Sequence, residues 1–332
     1  MSANIPVILV TGGAGYIGSH VCKELHKNGY TPICYDNLIH GHTWAVKWGP
    51  FEKGDILDRG TLRAVCEKYK PQGAIHLAAF AYVGESVKEP SKYYNNNVAG
   101  SLALLDTLKD CGINSIVFSS TCAVYGIPKN VPVTEHEQTA PVNPYGASKL
   151  MIERMMQDYH TAYGLNYIAL RYFNAAGADP DGEIGEMHDP ETHLIPLLLD
   201  VPLGRREKLT VFGDDYPTPD GTCIRDYIHV TDLARAHVLA LHRLEKKEPV
   251  ALSTNLGTGH GYSILDMIRV AEKITGKNIG YTFAPRRAGD PPLLVADAGQ
   301  SLRELGWEPE FADINDIIWH AWNFHVKATT IA

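Results

Sequence analysis

The sequence has no apolar run approaching the roughly 20 residues that a bilayer span needs and no C-x-x-C pair among its six cysteines, Cys22, Cys34, Cys66, Cys111, Cys122 and Cys223. Scattered cysteines of this kind read as free thiols in a reducing compartment. The N-terminal apolar run Ile5–Val10 is too short for a signal peptide and has no basic flank, so the cytoplasm is the expected location. Positive charge is scarce: 30 Lys and Arg face 38 Asp and Glu, for a net charge of −8. The basic face that nucleic acid requires is therefore not expected, although a local arginine cluster can still hold a small anion. The fifteen histidines include no H-E-x-x-H, so no metal is expected. Internal repeats and low-complexity tracts are absent. What remains is ordinary globular composition, 45% hydrophobic and 20% charged over 332 residues, enough for two domains with sizeable cores.

Strand-like apolar runs lie near Ile5–Val10, Thr31–Tyr35, Phe51–Lys53, Ala74–Leu77, Ser115–Ser119 and Tyr167–Arg171. Helical patterns separate them at Ile17–Asn28, Arg59–Lys70, Ser91–Asp110 and Tyr145–Tyr163. This alternation predicts an α/β fold of the Rossmann type, a doubly wound parallel sheet with helices on both faces. After about Ala175 the texture changes to Gly-, Pro- and acid-rich loops and shorter elements, with helices expected at Val230–Leu244, Ile264–Thr275 and Ile314–His325. The expected organisation is a dinucleotide-binding domain over 1–175, onto which a segment near 225–245 packs back, and a smaller α/β substrate domain over 176–332.

Ligands of such sheets bind outside the carboxyl ends of the strands, and the chemistry-bearing residues of this chain gather there. Thr11-Gly-Gly-Ala-Gly-Tyr-Ile-Gly18 follows the first strand and opens a helix. Gly12, Gly15 and Gly18 permit the tight turn, the close approach to a pyrophosphate and the packing of helix on strand that a dinucleotide site needs. Asp36 ends the second strand, where a carboxylate accepts the ribose diol and repels a 2′-phosphate, which favours NAD over NADP. Gly257-Thr-Gly-His-Gly261, a second glycine cluster, lacks such an acid and reads as a structural turn.

Tyr145-Gly-Ala-Ser-Lys149 places a phenol and an ammonium four residues apart, on one face of a helix started by Pro144. A nearby cation favours phenolate, so Tyr145 is a candidate general base with Lys149 as its activator. Tyr125-Gly-Ile-Pro-Lys129 repeats the spacing, but Gly126 and Pro128 argue against a helix there. Thr121, at the end of Val117-Phe-Ser-Ser-Thr121, offers a hydroxyl to relay the proton.

These motifs, together with Val83-Gly-Glu-Ser-Val-Lys-Glu-Pro90, Tyr94-Asn-Asn-Asn-Val98, Arg171-Tyr-Phe-Asn174, Asp220-Gly-Thr-Cys-Ile-Arg-Asp-Tyr-Ile-His-Val230 and Phe283-Ala-Pro-Arg-Arg287, resemble the UDP-glucose 4-epimerase family of the extended short-chain dehydrogenase/reductases, from about Val7 to Trp322. The resemblance implies tightly held NAD, a UDP-sugar substrate and reversible inversion at C4 through a 4-keto sugar. It places Tyr16, Ile17, Asp36, Asn37, Asp55, Ile56, Leu77, Ala78, Ala79, Asn96, Tyr145, Lys149 and Phe173 against the cofactor. It places Thr121, Tyr145, Asn174, His193, Leu194, Thr210, Phe212, Arg225, Arg287, Asp290 and Leu294 against the substrate.

Three positions depart from the family pattern. Thr121 stands where many relatives carry serine, Ala81 where many carry lysine, and Leu294 where some carry a tyrosine whose size is linked to use of N-acetylated sugars. A 4,6-dehydratase shares the scaffold but needs an acid beside Thr121, where Cys122 and Ala123 stand. A 4-epimerase acting on another UDP-sugar stays open, and a non-catalytic NAD-sensing protein is opposed by the intact Tyr145 and Lys149. Relatives in this family form homodimers, for which Leu102, Leu105 and Leu108 with Met151, Ile152, Met155 and Met156 are candidate contacts or core residues.

Overall fold

The structure, a computed structural model, describes residues 5–246, 248–287 and 289–328. Seven parallel strands form its main sheet: β1 (Val7–Thr11), β2 (Thr31–Asp36), β3 (Phe51–Lys53), β4 (Gly73–His76), β5 (Ser115–Thr121), β6 (Asn166–Tyr172) and, after three strands placed elsewhere, β10 (Ala251–Leu256). Their spatial order is β10-β6-β5-β4-β1-β2-β3, and every pairing is parallel. The order reverses at β1, beside β4. Both faces are covered, so the strands read as nearly continuous apolar runs.

Helices α1 (Tyr16–Lys27) and α8 (Val230–Leu244) cover one face. Their Val21, Leu25, Leu233 and Leu241 pack with Ile8, Val10, Ile75 and Val117 of the strands. The other face carries α2 (Arg59–Tyr69), α5 (Gly100–Asp110) and α6 (Pro144–Tyr163). There Leu62, Leu104, Leu108, Ile152 and Met156 meet Leu9, Ile33, Ile116 and Phe118. Each such side chain, fully buried, contributes about 1.5–3 kcal/mol relative to exposure. Local sequence fixes the helix ends. The Asp58 carboxylate accepts from the Gly60 and Thr61 amides at the start of α2. Asn143 does the same for Gly146 ahead of Pro144, and Gly164 closes α6 at φ +72°.

The span expected as one helix over Ser91–Asp110 is divided. Short helices α3 (Val83–Lys88) and α4 (Pro90–Tyr93) lead into a π-helical turn over Tyr94–Ala99 and then α5. Widened turns of this kind occur often at functional sites, and this one turns Asn96 and Asn97 inward.

The remaining elements form a smaller layer. β9 (Ile224–His229) is its centre, parallel to β7 (Asn174–Ala176) and β13 (Leu293–Leu294) and antiparallel to β11 (Gly261–Ser263). β8 (Leu209–Phe212) and β12 (Tyr281–Ala284) pair separately. Helices α7 (Leu194–Asp200), α9 (Ile264–Thr275) and α11 (Ile314–Ala328) pack around Ile195, Leu198, Met267, Ile268 and Ile318, and α10 (Gly299–Leu305) lies against β10 and α8. A capping box of Ser263 and Asp266 opens α9.

A boundary at 175 is thus crossed twice. α8 packs on α1, and β10 extends the main sheet beyond β6. Sequence pattern did not disclose β10, because nothing in Ala251–Leu256 says which sheet it joins. The turn at Gly257–Gly261 is held by a buried carboxylate: Asp226 accepts from Thr258 N (2.9 Å), Thr258 Oγ1 (2.7 Å) and Gly259 N (3.0 Å). It is a structural turn, as expected.

Candidate active site

A cavity of about 1080 Å³ runs along the carboxyl ends of the strands and continues between the two layers. Its first end is made of backbone. Gly12 sits at φ +75°, and a Cβ on it would stand 2.6 Å from Ala78 N. A Cβ on Gly18 would run into Gly12 O. Gly15 meets nothing closer than 3.4 Å and leaves the start of α1 open. No side chain caps that helix, so its first amides are free for an anion.

Asp36 stands beside them, 7% exposed, with Oδ2 accepting from Ala14 N (3.0 Å) and Oδ1 from Leu38 N (2.8 Å). Burial pushes its carboxyl up, against the pull of those two amides. Both oxygens keep a second lone pair for a ribose diol. The residues present therefore fit a dinucleotide: open helix amides for the phosphates, a diol acceptor and room for two nucleosides.

Gly12, Gly15, Tyr16, Ile17, Gly18, Asp36, Asn37, Ile56, Leu77, Ala78, Ala79, Asn96, Thr121, Tyr145, Lys149 and Phe173 all line the cavity. Asp55 does not. It stands behind Asn37, whose Nδ2 donates to Asp55 Oδ2 at 2.8 Å, and its other oxygen accepts from Leu57 N. Its effect on the site passes through Asn37.

Midway along the cavity lie Tyr145, Thr121 and Lys149. Thr121 Oγ1 accepts from Ala123 N at 3.2 Å and shares a hydrogen bond with the Tyr145 hydroxyl. Burial pushes the Tyr145 phenol up to about 12, while the Thr121 hydrogen bond pulls the other way. Lys149 acts less directly than its spacing suggests. Its Nζ donates to Ser119 O at 2.7 Å, lies 4.9 Å above the Phe118 ring and is 5.9 Å from the centre of the Tyr145 ring. It is 2% exposed, and burial pushes its ammonium down to about 7. A pair of this kind is poised: added positive charge in the cavity draws the phenol towards phenolate, and the phenolate in turn holds the lysine charged.

The helix carrying this pair is locked by polar residues that motif reading passed over. Asn97, fully buried, donates to Phe80 O (3.0 Å) and Ser148 Oγ (3.1 Å) and accepts from Phe80 N (2.9 Å). Behind α6, Glu153 accepts from Arg171 Nε at 3.0 Å and Nη2 at 2.6 Å and from Ser120 Oγ at 2.5 Å. The signal was in the sequence, in the asparagine run 95–97 and in a glutamate four residues beyond Lys149, but it needs the neighbouring strand to acquire meaning. Tyr125 is structural: its hydroxyl donates to Asn255 Oδ1 (2.7 Å) and accepts from Arg171 (3.0 Å).

The far end of the cavity is cationic. Arg225 and Arg287 both line it, with Asn174, His193, Leu194, Asp290 and Leu294. Arg225 is 8% exposed and holds Asp290 Oδ1 at 2.5 Å. Arg287 lies 4.1 Å above the Phe212 ring. Such planar forks suit phosphate oxygens. Two expected residues do not line the cavity. Leu209 and Val211 of β8 point into the core, so Thr210 and Phe212 face the other way. Thr210 is exposed there, and Phe212, at the strand end, reaches the site only by stacking under Arg287. Phe80, Tyr82, Cys223 and Tyr227 also line the cavity and were not anticipated.

Residues 8–257 match the model of the NAD dependent epimerase/dehydratase family. A UDP-glucose 4-epimerase of Rhizobium meliloti is 52% identical over 321 residues, covering 96% of this chain and 97% of that protein. The crystal structure of a UDP-glucose 4-epimerase from Brucella ovis in complex with NAD superposes with a TM-score of 0.93 at 53% identity, over 96% of this chain and 98% of that one. One from Bifidobacterium longum, in complex with NAD+ and UDP, gives 0.93 at 39% identity, over 97% and 99%.

Proposed function

The chain belongs to the NAD dependent epimerase/dehydratase family, among its UDP-glucose 4-epimerases, and we propose from its cavity how it interconverts UDP-galactose and UDP-glucose. The observation that carries the mechanism is the hydroxyl pair of the half-buried Tyr145 and the buried Thr121, lining the cavity between an open helix N-terminus and two arginines. NAD, when bound, supplies the acceptor and the returning donor of the C4 hydride.

Tyr145 takes the proton of the 4-hydroxyl and returns it to the same oxygen after the sugar has turned over, and Thr121 holds the phenol in line. The buried Lys149 keeps the phenolate from costing an isolated charge. Turnover of the 4-keto sugar demands that binding rest on the UDP. Arg225 and Arg287 are suited to this, since they stand apart from Tyr145 along the cavity. No acid flanks Thr121, where Cys122 and Ala123 follow, so elimination across C5 and C6 lacks its proton donor.

The site assignment belongs to the same proposal. Gly12, Gly15, Gly18, Tyr16, Ile17, Asp36, Asn37 and Lys149 hold NAD, while Asn174, Leu194, Arg225, Arg287, Asp290 and Leu294 hold the UDP-sugar. Leu294, 8% exposed, leaves room that a tyrosine would fill, which supports acceptance of N-acetylated sugars as well. The division into a cofactor unit and a substrate unit follows the two layers, with α8 and β10 counted in the first.

A homodimer through α5 and α6 is supported by Leu102 and Met151, 42% and 46% exposed on those helices. Leu105, Leu108, Ile152 and Met156 pack instead in the subunit's own core. No described helix is long and apolar enough to cross a membrane, and six free thiols suit the cytoplasm. The decisive experiment is incubation with UDP-galactose deuterated at C4. The label is retained in the UDP-glucose formed, and its loss to solvent would falsify the mechanism.

A further inference from the structure

The segment between Asp179 and α7 carries two clusters of acidic and imidazole groups, and they differ in one respect. In the first, Asp179, Asp181 and Glu183 already surround a cation: Lys23 Nζ lies 2.8 Å from Asp179, 2.8 Å from Asp181 and 2.7 Å from Glu183. In the second, Glu186, His188, Glu191 and His193 each direct one donor atom to a common region, all within 4.8 Å of one another. Among the described residues, its two carboxylates have only the two imidazoles as ion-pair partners.

We propose that Glu186, His188, Glu191 and His193 bind one divalent transition-metal cation of the zinc class, which fixes this segment in the wall of the cavity.

The geometry argues for it. His193 Nδ1 lies 2.7 Å from Glu186 Oε1 and 3.4 Å from Glu191 Oε1, and His188 Nδ1 lies 3.3 Å and 3.6 Å from the same two side chains. Donors at 2.0–2.1 Å from a tetrahedral ion stand about 3.3 Å apart. His188 Nδ1 is enclosed and makes no hydrogen bond.

Glu191 is oriented from behind, since its Oε1 accepts from Thr192 N (2.7 Å) and His193 N (2.8 Å). Outer contacts of that sort fix ligating carboxylates. Two imidazoles and two carboxylates make a set with net charge −2 that suits zinc, whereas magnesium and calcium take oxygen ligands. Tyr16, at the start of α1, meets the His188 ring edge-on at 6.5 Å, and Tyr82 lies 6.1 Å from both rings. The cluster therefore sits against the residue that follows the glycine loop. The spacing E-x-H-x-x-E-x-H lies on a loop, where a search for helical H-E-x-x-H does not find it.

The test uses the full-length protein with its bound NAD, freed of metal by a chelator and titrated with Co2+. The expected result is about one cobalt ion per chain with the intense visible bands of tetrahedral cobalt, displaced by Zn2+ and untouched by Mg2+. His188→Ala and Glu191→Gln each weaken cobalt binding tenfold or more. Glu183→Gln, at the lysine-filled cluster, leaves it unchanged. Retained NAD and far-UV circular dichroism identify the variants that have kept the fold, and either of the two suffices. Absence of stoichiometric cobalt, or bands that survive in both folded variants, overturns the proposal.

Discussion

The two ends of the cavity are built by different means. At the dinucleotide end the contact surface is backbone, drawn from one short stretch of chain between β1 and α1, and it works because Gly12, Gly15 and Gly18 have no side chains. At the far end, proposed for the UDP-sugar, the lining is side chain: Asn174 on β7, Arg225 on β9, and Arg287 and Asp290 on the segment before β13. The first kind of site tolerates no added atoms at Gly12 or Gly18. The second is an assembly of long polar groups, each of which can be removed with a local loss of affinity. Between them stand Tyr145, Thr121 and Lys149.

Five changes test that contrast, from the largest expected effect to the smallest. Tyr145→Phe removes the proton acceptor alone, and turnover falls by about 10²–10⁴-fold, the range for general acid–base catalysis, while NAD released on denaturation stays stoichiometric. Loss of NAD together with activity would show that the pair is part of the dinucleotide site after all.

Lys149→Met separates catalysis from stability. Folding lowers the lysine from its ordinary 10.5 to about 7, so the unfolded chain binds the extra proton between those values. The burial penalty is fully present below pH 7 and is relieved as pH rises towards 10. A tenfold change in proton affinity between the folded and unfolded chain is worth about 1.4 kcal/mol. The cofactor-free variant is therefore more stable than the parent by a few kcal/mol at pH 6, and the gap closes by pH 10. Denaturant titrations at both pH values measure it, and an equal gap at the two would mean that the lysine is not buried charged. Turnover of the variant falls as well.

Gly18→Ala forces a methyl group against Gly12 O. Overpacking of this kind costs about 1–3 kcal/mol, and the protein loses both NAD and thermal stability in a melting experiment. Arg287→Ala, at the other end, raises the KM for UDP-galactose about 10–100-fold, the worth of one charged hydrogen bond, with kcat held within about twofold and the melting temperature unmoved. A fall in kcat with constant KM would merge the two ends into one. Thr121→Ala deletes the hydrogen bond that favours phenolate. The tyrosine pKa rises, the ascending acidic limb of the pH–rate profile moves to higher pH, and the rate at neutral pH falls about tenfold.

Much of the cofactor end was legible in the chain. The strands expected before residue 175 coincide with β1 to β6 to within one or two residues at each end. α8 and α9 begin and end where their apolar periodicity places them. Local order suffices there: a glycine loop between a strand and a helix carries its own geometry, and Tyr145 and Lys149 share a helix face wherever that helix packs.

Legibility ended where long-range pairing decides. Thr210 and Phe212 do not line the cavity, because Leu209 and Val211 take the core side of β8, although Phe212 meets it through the stacked Arg287. Asp55 does not line the cavity itself and accepts from Asn37, which does. Leu105, Leu108, Ile152 and Met156 lie in the core because α5 and α6 face the sheet with that edge, leaving Leu102 and Met151 outside.

The sequence by itself determined the class of sheet and the glycine loop, and it offered Asp36 and Tyr145 as the candidate ribose acceptor and proton handler, because each is written in residues near one another along the chain. Only the tertiary structure decided that Lys149 turns its ammonium to Ser119 O, that Asn97 and Glu153 lock the catalytic helix, that β10 completes the main sheet, and that Glu186, His188, Glu191 and His193 converge. Those outcomes depend on which buried polar group finds which partner, a choice made between distant segments and settled by packing.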